Sequence, residues 1–295
     1  MKLLITGAWP QALDYLTELS IGHEIQFLKN EKDPLPCDPS WVEGIIGNGI
    51  FLYHRIEQFS NLKYVQLTSA GYDRVPMDYI KEHCIEIHNA RGVYSIPMAE
   101  YALSGVLTLY KKSSFFFDNQ KCHKWEKNRE LKELFGQKVC IFGCGSVGTE
   151  CAKRFQAMGC EIIGIDPIVQ NSCYFSHIFG LDKMKEILKK ADIVILTIPL
   201  TDETYHFFGI EAFTMMKKDS VLVNIARGAL IDTDAMICAL KTKLFGAVLD
   251  VFDEEPLSPN SLLWDMKNVV ITPHNSFVGD GNNRRLSTLI LETLK

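Results

Sequence analysis

Four polar residues in the second half of the chain stand just past short, β-prone apolar runs. Arg227 follows Val221–Asn224, Asp250 and Glu255 follow Gly246–Leu249, and His274 follows Val269–Ile271. Each type brings its own chemistry. A guanidinium is a permanently charged planar fork that matches a carboxylate. An imidazole exchanges a proton near neutral pH, and a carboxylate beside it favours the charged ring. Taken singly, these residues read as a surface charge, solvated loop acids and a turn histidine. Their shared placement carries the signal, because open α/β sheets take ligands beyond the carboxyl ends of their strands.

The stretch that must organise these ends is KVCIFGCGSVGTECAKRFQAMGCEIIGID, residues 138–166. An apolar run over 139–142 leads into Gly143-x-Gly145-x-x-Gly148, and Val147, Cys151, Phe155 and Met158 recur at helical spacing. Gly143 permits a tight turn, Gly145 lets backbone approach a pyrophosphate, and Gly148 lets the helix pack on the strand. The N–H groups of Ser146 and Val147 open that helix toward phosphate. Asp166 stands eighteen residues past Gly148 at the end of a second strand, placed to accept hydrogen bonds from ribose hydroxyls. A glycine turn alone would be a packing device as readily as a binding one. With both strands, the helix and the acid present, a dinucleotide site is expected.

The rest of the chain has the length and rhythm to support this. At 295 residues it holds about two domains at ~150 each. Residues 1–96 alternate strand-like runs (3–6, 24–27, 44–46, 64–67 and 85–88) with polar or helical stretches, which predicts a parallel sheet. After Asp166 the alternation resumes, with helices over 182–190, 210–216 and 233–241 and strands over 192–196, 220–224, 246–249 and 268–271. The fold class expected is α/β, with two doubly wound parallel sheets and a ligand cleft between their domains.

Composition narrows the function classes. Apolar content is 47%, charged content 23% and net charge −5, as in ordinary soluble proteins, and the basic residues are dispersed, so no nucleic-acid partner is expected. No run approaches the ~20 apolar residues of a membrane span, and MKLLITGAWP reads as a first strand better than as a signal peptide. The nine cysteines are odd in number and scattered through strand and helix patterns, which suits a reducing cytoplasm. Cys140 and Cys144 flank the glycine turn with no histidine pair beside them, so no metal site is expected.

Two further segments carry expectations. The loop Thr68-Ser-Ala-Gly-Tyr-Asp73 follows a strand, and its amides are placed either for an anion nest or for a plain turn. A largely apolar helix is expected over 96–112, starting near Pro97, and Phe115, Phe116, Phe117 and Trp125 follow it. For any one of these aromatics burial within the chain is the default; together they exceed what one chain readily covers, so a homodimer contact is expected there.

At these residues the sequence resembles the D-isomer-specific 2-hydroxyacid dehydrogenase family, which includes phosphoglycerate, D-lactate and glyoxylate/hydroxypyruvate dehydrogenases. The likeness runs through LTSAGYD (67–73), MAE (98–100), Trp125 ahead of Glu130-Leu131, GCGSVG (143–148), PLTDET (199–204), VNIARGALID (223–232), LDVFDEEPL (249–257) and ITPH (271–274). The resemblance implies a substrate domain made of residues 1–96 and 276–295 and an NAD-binding Rossmann domain over 97–275. It implies that Arg227 grips the substrate carboxylate and carbonyl, that His274 is the acid–base with Glu255 as its partner, and that Asp250 holds the nicotinamide carboxamide. Thr197, Pro199, Thr204 and Ala226 fall at cofactor-lining positions, and Asn48, Ala70 and Gly71 at substrate-binding ones. Thr197 stands where many members have histidine, and Met98 where valine is usual. Many relatives also add a tail after the helix expected over 282–295, so either the substrate domain lacks its last element or the chain is shortened.

The reaction implied is hydride transfer between NAD and a small D-2-hydroxy acid or its 2-oxo acid. Charge building on the carbonyl oxygen would be met by Arg227 and by a proton from His274. Pro167, Ile168, Val169, Gln170 and Asn171 offer no cation to a 2′-phosphate and Asp166 would repel one, so NAD is expected over NADP. Two alternatives stay open: a non-catalytic NAD-sensing protein of the same fold, and a glycine-loop enzyme using a methyl donor or flavin.

Overall fold

A computed structural model describes residues 1–168 and 172–294. Val169, Gln170 and Asn171, on which part of the cofactor expectation rests, lie outside the described residues. The chain divides into two compact units, residues 1–94 with the C-terminal stretch from Gly279, and Ser95–Val278.

The first unit is built on β1 (Lys2–Thr6), α1 (Leu16–Leu19), β2 (Glu24–Leu28), β3 (Gly44–Gly47), β4 (Tyr64–Leu67), α2 (Met77–Glu82) and β5 (Glu86–His88). Its strands form one parallel sheet in the order β2-β1-β3-β4-β5. Alternation along β1 sends Leu4 into one core with Ile45, Phe59 and Val65, while Leu3 and Ile5 join Trp9 and Ile46 on the other face. The second face is closed by the C-terminal helix, whose Leu286 and Ile290 are buried. The buried Trp9 Nε1 donates to Ser287 Oγ at 3.0 Å, which pins that helix to the start of the chain. Burial of each such Leu or Ile stabilises by ~1.5–3 kcal/mol.

The second unit comprises α3 (Ser95–Tyr110), α4 (Ser113–Lys121), β6 (Lys138–Phe142), α5 (Ser146–Ala157), β7 (Glu161–Ile165), β8 (His177–Phe179), α6 (Met184–Leu188), β9 (Ile193–Leu196), α7 (Ile210–Met215), β10 (Val221–Asn224), α8 (Thr233–Thr242), β11 (Gly246–Leu249) and β12 (Val269–Ile271); α9 (Asn282–Thr293) closes the first unit. The seven strands pair in parallel in the order β12-β11-β10-β9-β6-β7-β8. Chain order reverses between β6 and β9. That is the switch point at which a doubly wound sheet opens a crevice for ligand. Strands β9, β10 and β11 are buried throughout, as expected for a sheet covered on both faces. Ala99, Ala102, Val106 and Leu109 of α3 supply part of one covering layer at helical spacing.

The parallel α/β sheets agree with expectation, and the differences are local. The helix expected to reach Lys112 ends at Tyr110, because Lys112 turns left-handed (φ 48°). The helix expected over 182–190 is a 3-10 turn, Leu181–Lys183, followed by α6. Strand β8 and helix α4 were not expected: β8 is three residues long, and α4 buries only Asn119, so neither writes a clear apolar period. Burial does not hold for all the aromatics after α3, because α4 offers the core so little. Phe115 is partly buried, Phe116 and Phe117 are 37% and 58% exposed, and Trp125 is 97% exposed. Among the described residues no helix is long and apolar enough to cross a membrane.

Candidate active site

The glycine turn leaves β6 at the switch point. Gly143 has φ +90°, and a Cβ placed on Gly148 would meet the Gly143 carbonyl oxygen at 2.0 Å, so the first turn of α5 sits directly on the loop. Thr149 N donates to Gly145 O at 2.9 Å as the helix starts, and the N–H groups ahead of it, on Ser146, Val147 and Gly148, belong to the turn that a helix cannot satisfy itself. Thr197, at the end of β9, has its hydroxyl 2.7 Å from Gly143 O and 2.9 Å from Phe142 O, and thereby ties the two switch-point strands together. Pro199 and Thr204 belong to the loop that follows, which Thr204 folds by donating to Pro199 O at 2.8 Å.

Asp166 directly follows β7, with part of its carboxylate already engaged. Oδ2 accepts from Cys144 N at 2.7 Å and Oδ1 from Ile168 N at 2.9 Å. One acid thus braces the glycine loop, leaving each oxygen one further lone pair for a ribose hydroxyl. Burial first, and the Asp166 charge second, push the Cys144 thiol up to about 12.

Arg227 lies past β10 in a turn held by Asn224. The buried Asn224 donates through Nδ2 to Arg227 O at 2.8 Å and accepts from Ala226 N at 3.1 Å. Arg227 itself donates to Ala226 O at 2.8 Å. A Cβ on Gly228 would lie 1.8 Å from the backbone carbon of Phe252, so this turn abuts the loop beyond β11. Asn224 and Gly228 are positioning residues that sequence reasoning missed. A polar residue ending a wholly apolar strand was the available signal for the first.

Glu255 and His274 meet beyond the neighbouring strands. His274 Nδ1 is 2.8 Å from Glu255 Oε2, and Glu255 Oε1 accepts from Phe252 N at 3.0 Å. The carboxylate can only accept, so Nδ1 carries the hydrogen and Nε2 is the nitrogen left for proton exchange. Phe277 meets the imidazole edge-on at 6.0 Å.

Asp250 is wholly buried beneath this turn. Its carboxylate accepts from Thr272 Oγ1 at 2.5 Å, Asn275 N at 2.8 Å and Ser276 N at 2.9 Å, and its carbonyl accepts from His274 N at 2.7 Å. Thr272 has one hydrogen, which goes to the carboxylate, so Tyr101 of α3 donates to Thr272 across 2.7 Å. Burial, more than the nearby Asp250 charge, pushes Tyr101 up to about 12 and keeps it a donor. Asp250 therefore holds the backbone that aims His274.

The remaining substrate-position residues belong to the first unit. Asn48 follows β3, and Ala70 and Gly71 follow β4, in a loop fixed by Asn89 Nδ2 on Ala70 O at 2.7 Å and Ser69 Oγ on Gly71 O at 3.2 Å. Among the described residues no three His, Cys, Asp or Glu side chains cluster as metal ligands would.

A doubly wound sheet with a glycine turn at its switch point, and charged groups beyond three adjacent strands, is a nucleotide-binding architecture. Residues 103–276 match the NAD-binding domain model of the D-isomer specific 2-hydroxyacid dehydrogenases. A glyoxylate reductase of Thermococcus gammatolerans is 32% identical over 99% of this chain and 91% of its own. The D-3-phosphoglycerate dehydrogenase of Methanocaldococcus jannaschii is 34% identical over 81% of this chain but only 46% of its own length, so the chain spans about half of that relative. A solved D-isomer specific 2-hydroxyacid dehydrogenase family protein from Aeromonas salmonicida superposes with TM-score 0.85 at 25% identity, covering 99% of this chain and 94% of the other. The chain belongs to the D-isomer specific 2-hydroxyacid dehydrogenase family, and its second unit carries the family's NAD-binding domain.

Proposed function

We propose that this protein interconverts a small 2-oxo acid and its D-2-hydroxy acid with NAD. The observation that carries the reading is the 2.8 Å contact between His274 Nδ1 and Glu255 Oε2, set beside the Arg227 turn and beyond the strands of an NAD-binding sheet. NAD fits the glycine turn, where the 2.0 Å approach at Gly148 leaves room for backbone and none for a side chain. Ser146 and Val147 would face the pyrophosphate and Asp166 the ribose. When bound, the nicotinamide supplies or accepts the hydride at the substrate C2.

The chain's own groups do the rest. Arg227 pairs its fork with the substrate carboxylate and meets charge on the carbonyl oxygen. His274 gives its Nε2 proton to that oxygen during reduction and takes it back during oxidation. Glu255 fixes the tautomer and offsets the imidazolium charge. In the first unit, Asn48 and the amides of Ala70 and Gly71 are assigned to the substrate.

Asp166 favours NAD over NADP, since a carboxylate bound to the glycine loop repels a 2′-phosphate. The test is loss of NADH absorbance with a panel of 2-oxo acids. Turnover supports the reading; NADH binding without any turnover would point to a sensing protein, and equal kcat/KM with NADPH would remove the role given to Asp166.

A further inference from the structure

The sheet of the first unit has its own switch point, between β1 and β3, and a charged side chain already fills it. Glu31, beyond the end of β2, turns its carboxylate over the carboxyl ends of both strands. Oε1 accepts from Asn48 N at 2.6 Å and from the buried Thr6 Oγ1 at 2.9 Å, and Oε2 accepts from Gly49 N at 2.7 Å. A Cβ on Gly47 would fall 2.7 Å from Oε1, so that residue is bare where the carboxylate seats. Two adjacent amides and a hydroxyl converging on one group form an anion nest. The occupant is the chain's own.

No ion pair to Glu31 occurs among the described residues, so these neutral donors alone meet its charge in the side-chain contacts. Arg74 lays its aliphatic stem 3.5 Å from a Cβ position on Gly49 without pairing with the acid. The Asn48 side-chain oxygen is shut from solvent and has no hydrogen-bond partner. An anionic ligand group arriving here would find these donors already taken by a carboxylate.

We infer that Glu31 is a specificity residue that restricts the substrate to 2-oxo acids whose distal end is uncharged, and that phosphorylated or dicarboxylic 2-oxo acids are excluded by like charge at the filled nest. The inference rests on the proposed function in taking the first unit as the one that holds the substrate. It discriminates among relatives, which include phosphoglycerate dehydrogenases and glyoxylate reductases.

The test pairs a binding measurement with a kinetic one. Inorganic phosphate is titrated into the full chain while the backbone amide resonances of Asn48 and Gly49 are followed, in the wild type and in Glu31→Gln and Glu31→Ala. The wild-type amides should not respond; in the variants they should shift and saturate, with affinity raised at least ~10-fold. Wild-type amides that saturate with phosphate, or variant amides that stay silent, overturn the inference. In turnover, the ratio of kcat/KM for hydroxypyruvate to that for its phosphate ester should fall at least ~10-fold in the variants. A merely structural role would lower both substrates together and leave the ratio fixed, which also overturns it. A wild type that prefers the phosphate ester overturns it without any variant. If no 2-oxo acid oxidises NADH, the proposed function fails, and the phosphate titration still decides what Glu31 does.

Discussion

Ser276 N donates to Asp250 Oδ2 at 2.9 Å, and through this bond a buried carboxylate on one strand end fixes the turn that carries His274 on the next. Asp250→Ala strands the Thr272 hydroxyl and the Asn275 and Ser276 amides in a dry site. Stability should fall by ~3–5 kcal/mol, since a buried hydrogen-bonded group loses its whole acceptor set. Denaturant unfolding measures this. A loss under ~1 kcal/mol would show that the carboxylate is not the anchor.

His274→Gln should remove turnover by ~100-fold or more at every pH, while NADH affinity stays within about twofold, because the glycine turn lies at a different strand end. Glu255→Gln keeps an oxygen for Phe252 N or for His274 and removes the charge. A smaller loss in kcat/KM is expected, about 10–100-fold. Stopped-flow NADH binding beside steady-state rates separates the two effects, and near-normal turnover without His274 would remove it from the mechanism.

Two glycine substitutions should split binding from catalysis. At Gly148 an added methyl runs into Gly143 O, so Gly148→Ala should weaken NADH binding at least ~10-fold, about 1.4 kcal/mol. At Gly228 it runs into the Phe252 backbone, so Gly228→Ala should displace the Arg227 turn, lowering kcat/KM at least ~10-fold with NADH binding retained. Fluorescence titration and turnover on both variants give the comparison; identical profiles would contradict it.

Burial raises the thiols of Cys144 and Cys151 to about 12 and of Cys160 to about 11 from an ordinary 9.0. A raised acid binds its proton more tightly in the fold, so the stability it contributes is intact below pH 9.0 and is lost as pH climbs through those values. Unfolding free energy should therefore decline above pH 9. Iodoacetamide at pH 8 should label the exposed Cys84, Cys122, Cys173 and Cys238 and spare Cys140, Cys144, Cys151 and Cys160, as read by peptide mass mapping.

Phe116, Phe117 and Trp125 leave apolar surface beside α3, and a second copy of the chain would cover it. Light scattering at micromolar concentration should give a dimer, and Phe117→Glu should shift it toward monomer. A monomeric wild type would refute this.

The alternation of apolar strands with helices, the glycine spacing of 143–148 and the position of Asp166 were legible from the residues alone. They follow from local rules: period 2 in strands, 3.6 in helices, and a glycine wherever two backbones touch. The same rules placed Arg227, Glu255 and His274 at strand ends without saying how they meet. The 2.8 Å contact between His274 and Glu255 depends on β11 and β12 pairing side by side, which is a long-range choice. Asp250 read as a cofactor contact, and its buried bonds to Thr272, Asn275 and Ser276, which also make it the support of the His274 turn, were not legible. Glu31 carried no signal at all, because an acid in a polar loop looks solvated until β1 and β3 bring Thr6, Asn48 and Gly49 around it. Local sequence set which groups are available, and the packing of strand ends decided which of them meet and which hold the others in place.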